Sequence, residues 1–231
     1  MVRCVCFGDD CGNWVGGTLS LAPEHILSEC QGSLERLQIE QIDIYYAHWP
    51  DANGVPVEES CGAFAQLVSE GKIKHWAISN HDLAQTQQVL TICDAKGWPR
   101  PVMHQPPFSL LKPELAGDLL PYLAQEGIAV CPYNVLQGGY LSGKYSPDAD
   151  APAGSRAETK PAWAEGNQTG DDMWEKLGVI EVDAAAAGRS MLQHTLVESL
   201  ATVGMTSLII GASRLEQVEQ AVAALTGAPK L

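Results

Sequence analysis

Short apolar runs alternate along this chain with longer stretches whose apolar residues recur at helical spacing. Six runs read as strands: residues 1–7; Ile42, Ile44, Tyr45, Tyr46 and Ala47 leading into His48; IKHWAIS ending at Ser79; PVMHQ ending at Gln105; IAVCPY reaching Tyr133; and SLIIG over 207–211. They are rich in β-branched and aromatic residues and bounded by Gly, Pro, Asn or Asp. Helical stretches lie between them. Ser20 and Pro23 open one that runs through about Leu37, with Ile26, Leu27, Cys30, Leu34 and Leu37 on one face. Further helices are expected over 58–70, 82–96 and 113–126, closed by Gly71, Gly97 and Gly127. The loop NVLQGGYLSGKY follows the fifth run. Residues 146–171, rich in Pro, Gly, Asp and Ala and without a period, read as an irregular excursion. Helices over 173–187, 190–203 and 214–226 complete the pattern.

Strands alternating with helices at this rhythm imply a parallel sheet with right-handed crossovers. Such a sheet either closes into a barrel or stays open and doubly wound. No G-x-G-x-x-G follows the first strand, which counts against a dinucleotide-binding open sheet. Five successive strands instead end in polar or special residues: His48; Ser79 and Asn80; Gln105; Tyr133 and Asn134; Gly211, Ala212 and Ser213. A (β/α)8 TIM barrel brings such ends to one rim. The expectation is therefore an α/β chain, residues 1–231, forming a single barrel domain.

Composition narrows the function classes. A hydrophobic content of 45% suits a globular core. No run approaches the roughly 18–20 apolar residues needed to span a membrane, and MVRCVCFGDDCGNW lacks the apolar region of a signal peptide. A net charge of −14 disfavours a nucleic-acid surface. It leaves room for an anion held by a local Arg or a helix N-terminus. The seven cysteines are scattered without a C-x-x-C pair, which points to reduced thiols in the cytoplasm or another reducing compartment. Cys4, Cys6 and Cys11 are close in sequence but too few for a zinc site, so no metal is expected.

His48 is the first candidate for chemistry. It stands where a parallel strand gives way to its loop, and imidazole suits acid–base work near neutral pH. A satisfied core histidine is the competing reading. Tyr46 shares its strand face in a period-2 reading and is expected to be core.

At this point the motifs resemble those of the aldo-keto reductases. SLERLQIEQIDIYYAHWPD resembles that family's segment carrying its active-site histidine. GKIKHWAISN resembles its G-K-x-R-x-x-G-x-S-N stretch, and the run from MHQPPFSLL through YNVLQGGYLSGKY to IIGASRLEQVEQ resembles its cofactor-holding strands and loops. The resemblance implies an NADP(H)-dependent oxidoreductase that reduces an aldehyde or ketone to an alcohol. It assigns His48 to orienting and polarising a carbonyl. Ser79, Asn80 and Gln105 would hold the nicotinamide carboxamide and Tyr133 would stack on its ring. Asn134, Val135 and Leu136, with Leu141, Gly143 and Lys144, would lie along the pyrophosphate. Gly211, Ala212, Ser213 and Arg214 would take the adenosine 2′-phosphate, with Gln217 against the adenine. Read singly, these residues could equally be strand-end caps, core, or a helix start. Trp14 and Trp49 are candidates for the substrate mouth.

The same resemblance implies departures. The family's Asp and its Tyr acid lie on and just after an earlier strand, and its lysine position falls on Cys4, or on Arg3 with a one-residue shift. The expectation is a barrel truncated at its N-terminus, with about six of eight strands. Its open edges would favour self-association, and its activity would be impaired, since losing an acid typically costs about 10²–10⁴ in rate. A non-catalytic relic that binds NADP(H) or a partner protein is the alternative. Smaller departures are Phe108, the pair Asn134 and Val135, Gln220 and Ala221.

Overall fold

The computed structural model describes residues 20–115, 117–147, 149–166 and 172–226. The expected strand over 1–7, Cys4, Cys6, Cys11 and Trp14 lie outside them. The chain divides into two compact units, one formed by Met1–Pro106 with Pro121–Val130, the other by Pro107–Leu120 with Cys131–Leu231.

In the first unit, Pro23 presets the opening turn of α1 (Pro23–Leu37), and Gln38 closes it in the left-handed region at φ 54°. Next come β1 (Ile42–Ala47), α2 (Val57–Ser69), β2 (Ile73–Ser79), α3 (Leu83–Lys96) and β3 (Met103–Gln105). α3 begins with a capping box in which Asp82 and Gln85 exchange side-chain and backbone hydrogen bonds, and it ends on Gly97 at φ 66°. α4 (Leu119–Gln125) and β4 (Ala129–Val130) follow. The four strands are parallel in the order β1-β2-β3-β4.

Alternation along these strands makes two faces. Tyr45, Ala47, Trp76 and Ile78 belong to the core that α1, α2 and α3 cover, with Ile26, Cys30, Phe64, Leu67 and Cys93. Phe64 stacks on Trp76 with ring centroids 4.6 Å apart, and Tyr45 tilts against it at 5.9 Å. Ile44, Tyr46 and Ala77 form a separate apolar cluster on the opposite face, with Met103 packed against it. Tyr46 is 3% exposed and its hydroxyl reaches the Met103 sulfur at 2.8 Å, so it is core, as expected. Among the described cysteines Cys30, Cys61 and Cys93 are buried free thiols and Cys131 is half-buried.

The second unit holds α5 (Arg156–Thr159), α6 (Pro161–Gly166), α7 (Met173–Ala186), α8 (Met191–Ala201) and α9 (Leu215–Thr226). One core joins Leu111, Tyr140, Leu141, Met173 and Leu177; another joins Val135, Leu196, Ala221 and Ala224.

Four local expectations change. The helix over 113–126 is a 3-10 turn (Pro113–Leu115) followed by the shorter α4, because Gly117 at φ 25° breaks the helical path. Pro121 is tolerated within α4's first turn, where its missing N–H is not needed. The run IAVCPY is a regular strand only at Ala129–Val130. Pro132 cannot donate to a ladder, and pairing resumes only at the bridge between Pro107 and Tyr133. Residues 207–211 form no ladder; the Ile209 N–H donates to the Pro132 carbonyl at 2.9 Å, the one backbone role the proline can still play. The segment over 146–171 contains α5 and α6; Ser155 caps α5 by accepting from the Glu158 N–H, a Ser-x-x-Glu signal visible in the sequence.

Candidate active site

In the first unit the structure brings His48, Ser79, Asn80 and Gln105 together. The register pairs Ala47 with Ile78 and Ser79 with Gln105, so three parallel strands end level with one another. Counting by twos, His48, Ser79 and Gln105 follow Tyr46, Ala77 and Met103 on the face opposite α1, α2 and α3. Ser79 is buried, and its hydroxyl donates to the Gln105 carbonyl at 2.8 Å. The Asn80 amide donates to the His48 carbonyl at 2.8 Å and to the Ser79 hydroxyl at 3.2 Å. Asn80 itself sits at φ 60°, which a short polar side chain tolerates better than a branched one. The backbone of each site residue is therefore fixed by its neighbour.

Two side chains remain open. The His48 imidazole and the Gln105 carboxamide are half-buried and make no hydrogen bond to any described residue. His48 lies 6.0 Å, centroid to centroid, from the Trp49 ring. An imidazole N–H and an amide are a donor set that suits a carbonyl and a carboxamide. On that chemistry the first-unit residues fit a nicotinamide group.

Asp51 was not singled out by sequence reasoning, yet it holds the loop that carries His48. Its carboxylate accepts from the N–H groups of Leu21 at 2.7 Å, Asn53 at 2.8 Å and Val55 at 2.9 Å. Burial pushes its pKa upward, but these donors, with Gly54, outweigh that and keep it below the usual carboxylate value. An Asp in DANG is a turn signal, and it could have been found as one.

His81 and His104 were also missed. His81 Nδ1 lies 2.9 Å from the Ser79 carbonyl, and His104 Nε2 lies 3.0 Å from the His81 carbonyl. Burial pushes both imidazole pKa values down, His104 to about 4, against the opposing pull of those bonds. Sequence alone offered no signal for them, since nothing local marks a histidine as buried.

In the second unit the expected residues fall on two loops. Tyr133 receives Phe108 N–H on its carbonyl at 3.1 Å, and burial raises its phenol pKa. Asn134 (φ 62°) and Gln137 (φ 42°), both in the left-handed region, flank a turn in which Gln137 N–H donates to the Asn134 carbonyl at 2.8 Å. Gln137, another residue that sequence reasoning missed, is 2% exposed and accepts from the Ser109 hydroxyl at 2.8 Å and the Asn134 amide at 3.3 Å. Val135 and Leu141 point into the core, so only their backbone can serve a ligand; Leu136 packs against the cluster that holds Val135. Gly143 adopts φ 78°, and Lys144 stands exposed with its ammonium 4.9 Å from the Tyr145 ring. Gly211, Ala212, Ser213 and Arg214 are all exposed at the start of α9, and Arg214 forms no ion pair with a described residue. The Gln217 side chain accepts from the Ser213 N–H at 2.8 Å and from its hydroxyl at 3.3 Å. That oxygen caps its own helix. Ala221 and Phe108 are buried. Among the described residues no group of His, Cys, Asp or Glu is placed to hold a metal, and no helix is long and apolar enough to cross a membrane.

Comparison with known proteins adds to this geometry. A sequence model described as the Aldo/keto reductase family matches residues 15–228. The chain is similar to the aflatoxin B1 aldehyde reductase member 4 of Homo sapiens, 32% identical over 232 aligned positions covering 94% of this chain and 68% of that protein. It is 33% identical to aflatoxin B1 aldehyde reductase member 2 of Homo sapiens, covering 91% of this chain and 62% of that one. The chain thus spans about two thirds or less of the length of these relatives. Its fold is like that of a glycerol dehydrogenase from Gluconobacter oxydans, with TM-score 0.67, 24% identity, 94% of this chain and 67% of the other covered.

Proposed function

This chain belongs to the aldo/keto reductase family, and from that premise we propose that it serves the NADP(H)-dependent reduction of an aldehyde or ketone to an alcohol. The observation that carries the reading is the level set of strand ends His48, Ser79, Asn80 and Gln105, with two polar side chains left open beside two that are fixed. Two relatives that it resembles, the human proteins above, are named as aldehyde reductases.

In this reading an imidazole N–H of His48 donates to the substrate carbonyl oxygen and draws charge onto it. The Asn80 bond to the His48 backbone keeps that donor in place. Gln105, Ser79 and Asn80 hold the carboxamide and fix the ring's orientation. The reduced nicotinamide, when bound, would supply the hydride, and water would supply the proton that turns the alkoxide into the alcohol. Arg214 offers the charge that would favour a 2′-phosphate, hence NADPH over NADH. Within the second unit, Asn134, Gly143 and Lys144 are the residues that the family resemblance would give to a pyrophosphate.

The alternative is cofactor binding without turnover. It is favoured by Cys4, or Arg3, standing where the family motif carries its lysine. NADPH titration by fluorescence, followed by NADPH oxidation against a panel of aldehydes and ketones, decides between them. Oxidation that His48→Phe abolishes supports the reductase; binding with no oxidation selects the alternative; no binding of either nucleotide removes both.

A further inference from the structure

Asn80 occupies the left-handed region at φ 60°, which residues with a Cβ avoid. The carbonyls on both sides of it are engaged by buried imidazoles. His81 Nδ1 meets the Ser79 carbonyl at 2.9 Å and His104 Nε2 meets the His81 carbonyl at 3.0 Å. Because a carbonyl only accepts, these contacts dictate the tautomers: the proton is on Nδ1 in His81 and on Nε2 in His104. His104 is 0% exposed, and its bare Nδ1 has no hydrogen-bond partner among the described residues. Packing alone would disfavour such a group there, where an aliphatic side chain would leave no polar atom unsatisfied. His104 lies on β3 one residue before Gln105 and is paired in register with Ile78, one residue before Ser79. Its Nε2 bond therefore ties β3 to the turn that follows β2.

We infer that His104 is a positioning residue: through His81 it locks Asn80 in the conformation that directs its amide to the His48 carbonyl and the Ser79 hydroxyl. The inference rests on the proposed function only for what Asn80 serves; the lock itself is a property of residues 79–82 and 104. Removing the His104 donor leaves the His81 carbonyl buried without it, frees the turn, and lets Asn80 relax toward ordinary backbone angles.

The test compares His104→Leu with His104→Gln, whose side-chain amide can replace the Nε2 donor. Two readouts are taken on the whole chain: amide hydrogen exchange, and NADPH affinity. His104→Leu should speed exchange at Asn80, His81 and Asp82 by about 10-fold and weaken NADPH binding by about 10-fold, the effect of one lost buried hydrogen bond. Exchange in β1 and α1 should not change, and His104→Gln should restore both readouts. Unchanged exchange at 80–82 in the Leu variant, or failure of the folded Gln variant to restore it, overturns the inference. If His104→Leu does not fold, His81→Leu against His81→Asn puts the same question to the Ser79 carbonyl, with the same two outcomes. Wild-type protein that binds no NADPH while its exchange follows this pattern would overturn the proposed function and support the lock.

Discussion

The two buried histidines should make the first unit sensitive to acid in a window where carboxylates are still ionised. At neutral pH His104 is uncharged in both the folded and the unfolded chain. As pH falls through the ordinary histidine value near 6.5, the unfolded chain takes up a proton and the folded chain does not, because burial and the nearby His81 hold His104 down to about 4. The unfolded state binds more protons across this interval, so stability falls as pH falls. The gap from 6.5 to about 4, at 1.36 kcal/mol per unit, amounts to about 3 kcal/mol from His104. His81, also held down by burial, adds in the same direction. Below about pH 4 the His104 contribution stops changing. Carboxylates kept low by their partners, Asp51 and Asp94, act only below the ordinary Asp value and so fall outside the window. The assay is urea unfolding of wild type and His104→Leu at several pH values between 7 and 4. The wild type should lose about 3 kcal/mol more than the variant over that range. Parallel stability curves for the two proteins would refute the reasoning, because they would mean that His104 ionises in the folded chain as it does in the unfolded one.

Three other outcomes are expected. Asn80→Ala and Asn80→Gly both remove the amide, but only Ala must hold φ 60°, so the Gly variant should be more stable by about 1–2 kcal/mol in urea unfolding, with NADPH affinity reduced in both. Gly139→Ala would place a Cβ 2.8 Å from the Lys144 Cε and Nζ at φ 100°; the flexible ammonium should swing off the Tyr145 ring while the backbone strain remains, lowering stability by about 1–3 kcal/mol in thermal unfolding. Phe64→Ala empties a site 1% exposed between Trp76 and Tyr45 and should cost about 3–5 kcal/mol, read by chemical denaturation.

Sequence by itself determined the helices and strands whose signals are local. Pro23 at a first turn, Asp82 three residues before Gln85, and glycines at 71 and 97 act over a few bonds, and α1, α2 and α3 lie within a residue or two of where those signals put them. It also placed His48, Ser79 and Gln105 at strand ends, because a period of two and a breaking Pro50 are properties of the chain alone. Tertiary structure decided the rest. SLIIG has strand composition, but a strand needs a neighbour whose N–H groups are available, and Pro132 supplies only a carbonyl. His81, His104 and Gln137 gain their roles from burial or from groups distant in sequence, which leave no mark at the residue itself; Asp51 is legible as a turn residue, but its bond from the Leu21 N–H comes from thirty residues away. Gln217 gains a contact in the same way: its side-chain oxygen accepts from the Ser213 N–H just ahead of α9, a bond that the motif by itself does not show.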